Sequence, residues 1–120
     1  MDRKSEIKAY KDTSPPMGVF QIINMVNGKV LIGSSVNLPA ILNRFKAELK
    51  MGSHRNEVLQ KEWKQFGHEN FQFIELEILE PADDPAYDPA EDLQVLEKLW
   101  IEKLTPFGDK GYNKRSGPDA

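Results

Sequence analysis

The sequence predicts an α+β domain in which a small three-stranded antiparallel sheet is flanked by helices. Two short apolar runs separated by Asn27-Gly28 indicate a β-hairpin near the start of the chain. Two stretches with apolar residues at helical spacing follow, and after them an alternating strand and a third helical stretch. The predicted order is therefore β-β-α-α-β-α, without a visible internal repeat.

The first strand is expected over Val19 to Met25 and the second over Val30 to Ile32. Asparagine and glycine both tolerate positive φ, so Asn27-Gly28 predicts a two-residue type I′ turn between these strands. In front of the hairpin, residues 1–16 are polar and end in two prolines, which predicts a flexible arm.

The first helix is predicted to begin after Asn37 as N-cap, with Pro39 in its first turn, and to end at Gly52. The second helix is predicted to begin after Ser53 and to end at Gly67, which suits a left-handed backbone. Each stretch has an apolar stripe that would face the sheet.

The third strand is expected over Phe71 to Leu79, followed by a proline- and aspartate-rich loop over residues 80–90. Asp88-Pro89 at the end of this loop resembles a capping box and predicts the start of a third helix. We expect one domain over residues 17–115 and a disordered tail over residues 116–120.

The composition excludes several classes of protein. The 120 residues are 39% hydrophobic and 29% charged, which is typical of a folded soluble domain, and no cysteine is present to form a disulfide or a thiolate zinc site. No stretch resembles a membrane span or a signal peptide, so the cytoplasm is the expected location. The net charge of −3 provides no overall basic field that would attract nucleic acid.

Charge is nevertheless distributed unevenly along the chain. Residues 38–66 hold more lysine and arginine than glutamate, whereas residues 75–92 hold only acidic charges. The basic segment indicates either a solvated surface or a DNA-binding one. The residues that would contact DNA are Lys46, Lys50, Arg55, Lys61 and Lys64.

Several short motifs, taken in order, resemble a GIY-YIG nuclease domain, most closely the type found in phage and intron homing endonucleases. The motifs are Gly18-Val19-Phe20, Leu31-Ile32-Gly33, Gly52-Ser53-His54, Leu96-Glu97 and Gly111-Tyr112-Asn113. The resemblance covers about residues 17–115 and implies a three-stranded antiparallel sheet. It also implies hydrolysis of DNA phosphodiesters with one divalent metal, normally Mg²⁺.

Four catalytic positions of the family are replaced in this chain. The resemblance places Phe20 and Leu31 where two tyrosines lie beside the phosphate. It places Ile41 and Phe45 where a helix supplies an arginine and a histidine. None of these four side chains can transfer a proton or offset charge. We expect them to form one apolar face, covered by a protein partner, a second copy of the chain, or the arm and the 80–90 loop.

Four polar residues are the remaining site candidates. Glu97 matches the carboxylate that binds the metal, Asn113 matches an asparagine near the site, and His54 matches a histidine that touches phosphate. Arg44 lies close enough to Ile41 along the helix to reach the same region. Each also has an ordinary structural explanation, as a solvated helix residue, a turn residue or a neighbour of a helix cap. His68 is interpreted as a loop residue.

Three functions remain open at this point. The first is a binding or interaction module with a degenerate nuclease site. The second is a metal-dependent DNA endonuclease with rewired catalysis. It would use Arg44, His54, Glu97 and a tyrosine such as Tyr112 or Tyr10. The third is a DNA-binding domain that does not cleave.

Overall fold

The chain folds with its elements in the predicted order. The computed structural model describes residues 15–114, so the predicted arm, except for its last two residues, and the predicted tail lie outside the described residues. The strands are β1 (Gly18–Asn24), β2 (Val30–Ser35) and β3 (Phe71–Ile78), and the helices are α1 (Leu38–Met51), α2 (Glu57–Phe66) and α3 (Ala90–Leu104). Single 3₁₀ turns occupy His68–Asn70 and Gly108–Lys110.

The sheet has β1 at its centre, with β2 and β3 paired antiparallel on either side. This arrangement confirms the predicted α+β class. Side chains on one face of the sheet pack against α1 and α2, while those on the other face pack against α3. Within residues 15–114, none of the helices has the length and apolar content needed to cross a membrane.

The predicted type I′ turn is wrong. Of the two turn residues Asn27 and Gly28, only Gly28 has positive φ. The amide of Gly28 donates to the carbonyl of Asn24 at 2.7 Å, which closes a longer loop. Asn27 keeps negative φ because its side chain is used elsewhere: it accepts from the amide of Lys29 and donates to Glu62. Side-chain hydrogen bonds therefore fix the turn.

The predicted start of α2 is also wrong. Asn56 is the N-cap, and its side chain accepts from the amide of Leu59 at 3.1 Å. Ser53 instead donates its amide to the carbonyl of Glu48 and completes the end of α1 after the left-handed Gly52. Both ends of α1, its N-cap at Asn37 and its C-cap at Gly52, agree with the prediction.

The start of α3 departs from the predicted capping box. The helix begins at Ala90, and the preceding Pro89 has no side-chain capping bond. Asp88 accepts from the amide of Ala90 at 3.0 Å, which is too early in the helix for the predicted box.

Phe20 and Gly33 form a cross-strand pair that leaves no space for a second side chain. A Cβ on Gly33 would lie 2.5 Å from Cζ of the Phe20 ring. The ring therefore lies directly over the glycine, at the point where β1 and β2 contact α1.

We predict that Gly33→Ala lowers the free energy of unfolding by about 1–3 kcal/mol, because the methyl group overpacks this contact. The loss should be smaller in a Phe20→Leu background, as measured by urea unfolding. Gly28→Ala, where the added Cβ meets open space, is the control and should cost the same in both backgrounds. An equal cost of Gly33→Ala with and without the ring would contradict the contact.

Candidate functional site

A cleft of about 300 Å³ opens beside β2. Strand β2, helix α1, the turn between α1 and α2, helix α3 and the C-terminal segment all contribute to its walls. Its lining residues are Phe20, Leu31, Ile32, Gly33, Ser34, Ile41, Phe45, His54, Arg55, Asn56, Glu97, Tyr112, Asn113 and Lys114.

The four apolar side chains that were predicted to form one face all line this cleft. Because Phe20 pairs with Gly33 and Leu31 pairs with Ile22, both side chains project from the same face of the sheet. Ile41 and Phe45 reach the cleft from α1. The rings of Phe20 and Phe45 contact edge to face, with centroids 5.7 Å apart.

These side chains do not form the exposed apolar face that was expected, because two of them are buried. Phe20 is 2% exposed and Phe45 is 7% exposed, because their rings belong to the core between the sheet and α1. Leu31 and Ile41 are half-buried. The apolar side of the cleft is therefore mostly filled by core packing, and little apolar surface is left there for a partner to cover.

Glu97 and Asn113 face the cleft from opposite walls. Glu97, on α3, is half-buried and accepts a hydrogen bond from the hydroxyl of Ser34 at 3.0 Å. The side chain of Asn113 bonds both backbone groups of Ile32, accepting from the amide at 2.8 Å and donating to the carbonyl at 2.9 Å. Asn113 thus extends the edge of β2 in place of a fourth strand, whereas Glu97 keeps an oxygen available for a ligand.

His54 lines the cleft as a buried neutral imidazole. Its Nδ1 accepts from the amide of Asn56 at 3.0 Å, which places the proton on Nε2. Nε2 has no hydrogen-bond partner among the described residues. Burial lowers the pKa of His54, and the Arg55 cation adds to this effect, while Glu48 opposes it. Nε2 therefore carries the proton and is not a base in this tautomer, but the atom is buried and the His54 ring packs edge to face against Phe45, with centroids 4.6 Å apart.

The cations that line the cleft are not the one that was predicted for the site. Arg44 lies outside the cleft, because it projects from α1 away from the buried stripe and pairs with Glu48 at 3.5 Å with 71% of its side chain exposed. Arg55 and Lys114 line the cleft instead. Arg55 was predicted as a DNA-binding residue of the basic segment and not as a cleft residue, and neither Lys114 nor Ser34 was singled out. Each joins the site only through the folded chain.

The predicted DNA-binding residues do not form one surface with the cleft. Among these five, Arg55 is the member that lines it. Lys46 and Lys50 border a second cavity, which includes Phe71 and Phe73 of β3. Lys61 and Lys64 are exposed on α2. The basic charge is thus spread over more than one side of the domain.

Tyr112 belongs to a buried polar network beneath the cleft. Its hydroxyl donates to Glu62 at 2.8 Å and accepts from the side chain of Asn24 at 3.1 Å. Burial, reinforced by the bond to the Glu62 carboxylate, raises the pKa of Tyr112 far above its ordinary value. Tyr112 therefore stays protonated at neutral pH. Tyr10, the other tyrosine considered, lies outside the described residues.

Glu62 is the acceptor that holds this network together. Burial by itself would raise its pKa, but hydrogen bonds from Lys29, Asn27 and Tyr112 outweigh burial and hold the pKa below its ordinary value. Lys29 Nζ lies 2.9 Å from Oε2 of Glu62, and Asn27 Nδ2 lies 2.7 Å from Oε1. The network joins the hairpin turn, α2 and the C-terminal segment.

Comparison with known proteins gives a structural match. No protein-family model matches the sequence, and no curated protein matches it. The catalytic domain of homing endonuclease I-TevI is similar at 27% identity and a TM-score of 0.67, over 83% of this chain and 99% of that one. A mutant of the catalytic domain of intron endonuclease I-TevI is similar at 26% identity and a TM-score of 0.67, over 82% of this chain and 92% of that one.

Tyr112→Phe should lower the free energy of unfolding by about 1–3 kcal/mol, since it leaves the buried Glu62 and Asn24 groups each short of one hydrogen bond. Tyr87→Phe is a suitable control, because the Tyr87 hydroxyl bonds Asp92 at an exposed site. Chemical denaturation of both variants provides the measurement. Equal losses for the two variants would argue against a stabilising network.

Stability should fall as the pH drops below about 6.5, the ordinary pKa of histidine. The unfolded chain then takes up a proton at His54, while the folded chain resists protonation because its pKa is lower. His54→Gln should flatten this part of the stability profile, whereas His68→Gln, at an exposed position, should leave it unchanged. Thermal unfolding between pH 5 and 8 tests both, and an unaltered profile in His54→Gln would contradict the assignment.

Proposed function

Because the chain has the GIY-YIG nuclease fold, we propose that it is a DNA-binding domain that has lost phosphodiester hydrolysis. The observation that carries the proposal is the set of apolar side chains in the cleft. Phe20, Leu31, Ile41 and Phe45 stand at the positions where the family resemblance expects proton-transfer and phosphate-binding groups. Hydrolysis needs both kinds of group, and these side chains supply neither.

The polar residues that remain do not replace the missing chemistry. Tyr112 is protonated and bonded to Glu62, so it cannot act as a base at neutral pH. His54 carries its proton on the buried Nε2, so this nitrogen is not a base. Removal of one transition-state donor lowers the rate by roughly 10²–10³-fold, and the effects of a set that acts together are not additive. Losing the acid-base groups leaves binding as the capacity that the cleft retains.

DNA is the ligand that the surviving charges favour. Arg55 and Lys114 supply positive charge to the cleft. A stable protein interface usually buries more than about 1,000 Å². Because Phe20 and Phe45 are in the core, the cleft offers little of the apolar surface such an interface would use. Phosphate binding therefore has more support than the partner-covered face.

The cleft fits Mg²⁺ through one carboxylate. Glu97 is the acidic side chain among its lining residues, and residues 15–114 contain no group of three or more histidine and acidic side chains placed to hold a metal. Magnesium needs one or two carboxylates, and waters or phosphate oxygens complete its shell. Glu97 would hold the ion, which would supply charge compensation at the phosphate. We expect little Mg²⁺ affinity without DNA.

Supercoiled plasmid DNA with Mg²⁺ or Mn²⁺ separates binding from cleavage. We predict no nicking by purified protein, together with duplex binding that weakens steeply as salt rises. Arg55→Gln should reduce the slope of log K against log salt by about one, because one phosphate contact is lost. Lys98→Gln, at an exposed position of α3 outside the cleft, should leave the slope unchanged.

The same assay can refute the proposal. Metal-dependent nicking that disappears in Glu97→Ala would show an active nuclease with rewired catalysis. Binding that is absent, or that does not change with salt, would remove DNA as the ligand of the cleft.

A further inference from the structure

A second cavity, of about 320 Å³, lies at the edge of the sheet opposite the cleft. Strand β3 forms this edge, while β2 forms the edge beside the cleft. The lining residues are Lys46, Lys50, Trp63, His68, Phe71 and Phe73. We propose that this cavity binds an unpaired nucleotide of a single-stranded nucleic acid.

Aromatic rings form the body of the cavity. The Trp63 ring lies 5.2 Å from Phe71 and 6.1 Å from Phe73, measured between centroids, and 6.4 Å from His68. Trp63 and Phe71 are 8% and 7% exposed, so they form its floor. Phe73 is half-buried and His68 is exposed, which leaves their rings accessible to a flat ligand.

Two lysines provide charge at the rim. Lys46 and Lys50 are one helical turn apart on α1, so both project toward the same side. The Lys46 ammonium lies 4.9 Å from the centre of the Phe73 ring. A phosphate bound by these lysines would therefore place the attached base close to the Phe73 ring.

The charge and size of the cavity favour one nucleotide. No acidic side chain is among its lining residues; Glu69, which contacts His68 at 3.5 Å, is the neighbouring acid. Ligand sites usually measure about 300–1,000 Å³, so this cavity suits a single base. Lysines that contact the backbone beside aromatic rings that stack bases are typical of single-strand binding. A duplex keeps its bases stacked and cannot offer one to these rings.

This site is separate from the cleft, and the proposal does not depend on the loss of hydrolysis. Residues that line the two cavities do not overlap. Variants of one site can therefore be compared with variants of the other. The two proposals can fail independently.

Tryptophan fluorescence gives a direct measurement. The chain has two tryptophans, and Trp100 packs on the other face of the sheet, so Trp100→Phe leaves Trp63 as the reporter. We expect a short oligothymidylate to quench Trp63 saturably and an equally charged polyphosphate to quench it less. Phe73→Leu should weaken oligothymidylate binding about tenfold, since a stacked base contributes about 1–3 kcal/mol. The exposed pair Lys46→Gln and Lys50→Gln should weaken it by a similar factor.

Two exposed lysines outside both cavities provide the control. Lys98→Gln with Lys110→Gln should leave oligothymidylate binding within about twofold of the unaltered protein. Fluorescence anisotropy of labelled oligothymidylate checks this in the unaltered tryptophan background. Equal quenching of Trp63 by a blunt duplex, full affinity in both the Phe73 and the lysine variants of the cavity, or an equal loss of affinity in the control variant would each overturn the proposal.

Discussion

The contact between Phe20 and Phe45 ties the sheet to α1 and also determines what the cleft can do. The two rings meet edge to face over Gly33, which has no side chain to obstruct them. Edge-to-face aromatic pairs contribute about 0.5–1.5 kcal/mol beyond the burial of their area. The packing that stabilises this part of the core therefore occupies positions where the family resemblance expects polar groups. In the function we propose, stability and loss of catalysis have the same physical cause.

The C-terminal segment completes both the core and the cleft. Asn113 bonds the edge of β2, and the neighbouring Tyr112 places its hydroxyl against Glu62 beneath the cleft. Such a buried network is favourable only when its groups are satisfied. Two residues of the segment that look available for catalysis from the sequence are thus committed to structure. Glu97 and the cations Arg55 and Lys114 keep groups that line the cleft.

Much of the fold could be predicted from the sequence because local signals and the apolar stripes agree. Asn37 and Gly52 bound α1 as their chemistry suggests, and the order of strands and helices follows from periodicity. The error at the hairpin turn arose because a side chain has a distant partner. Asn27 bonds Glu62, which lies far along the sequence, so its local preference for positive φ does not decide the turn.

The site could be predicted only in part, for the same reason. The family resemblance placed Phe20, Leu31, Ile41 and Phe45 at one site, but it did not show that Phe20 and Phe45 are buried. Spacing brought Arg44 near the site, whereas helix geometry turns it away, and Arg55 and Lys114 join the cleft through tertiary structure. Burial and direction of a side chain depend on the whole fold.

NMR of the ¹⁵N-labelled protein with a duplex and Mg²⁺ tests the central claim most directly. Our account predicts that the signals of Arg55, Lys114 and the His54 imidazole shift on binding while the duplex stays intact throughout the titration. Cleavage of the duplex, or shifts that bypass these cleft residues, would contradict it.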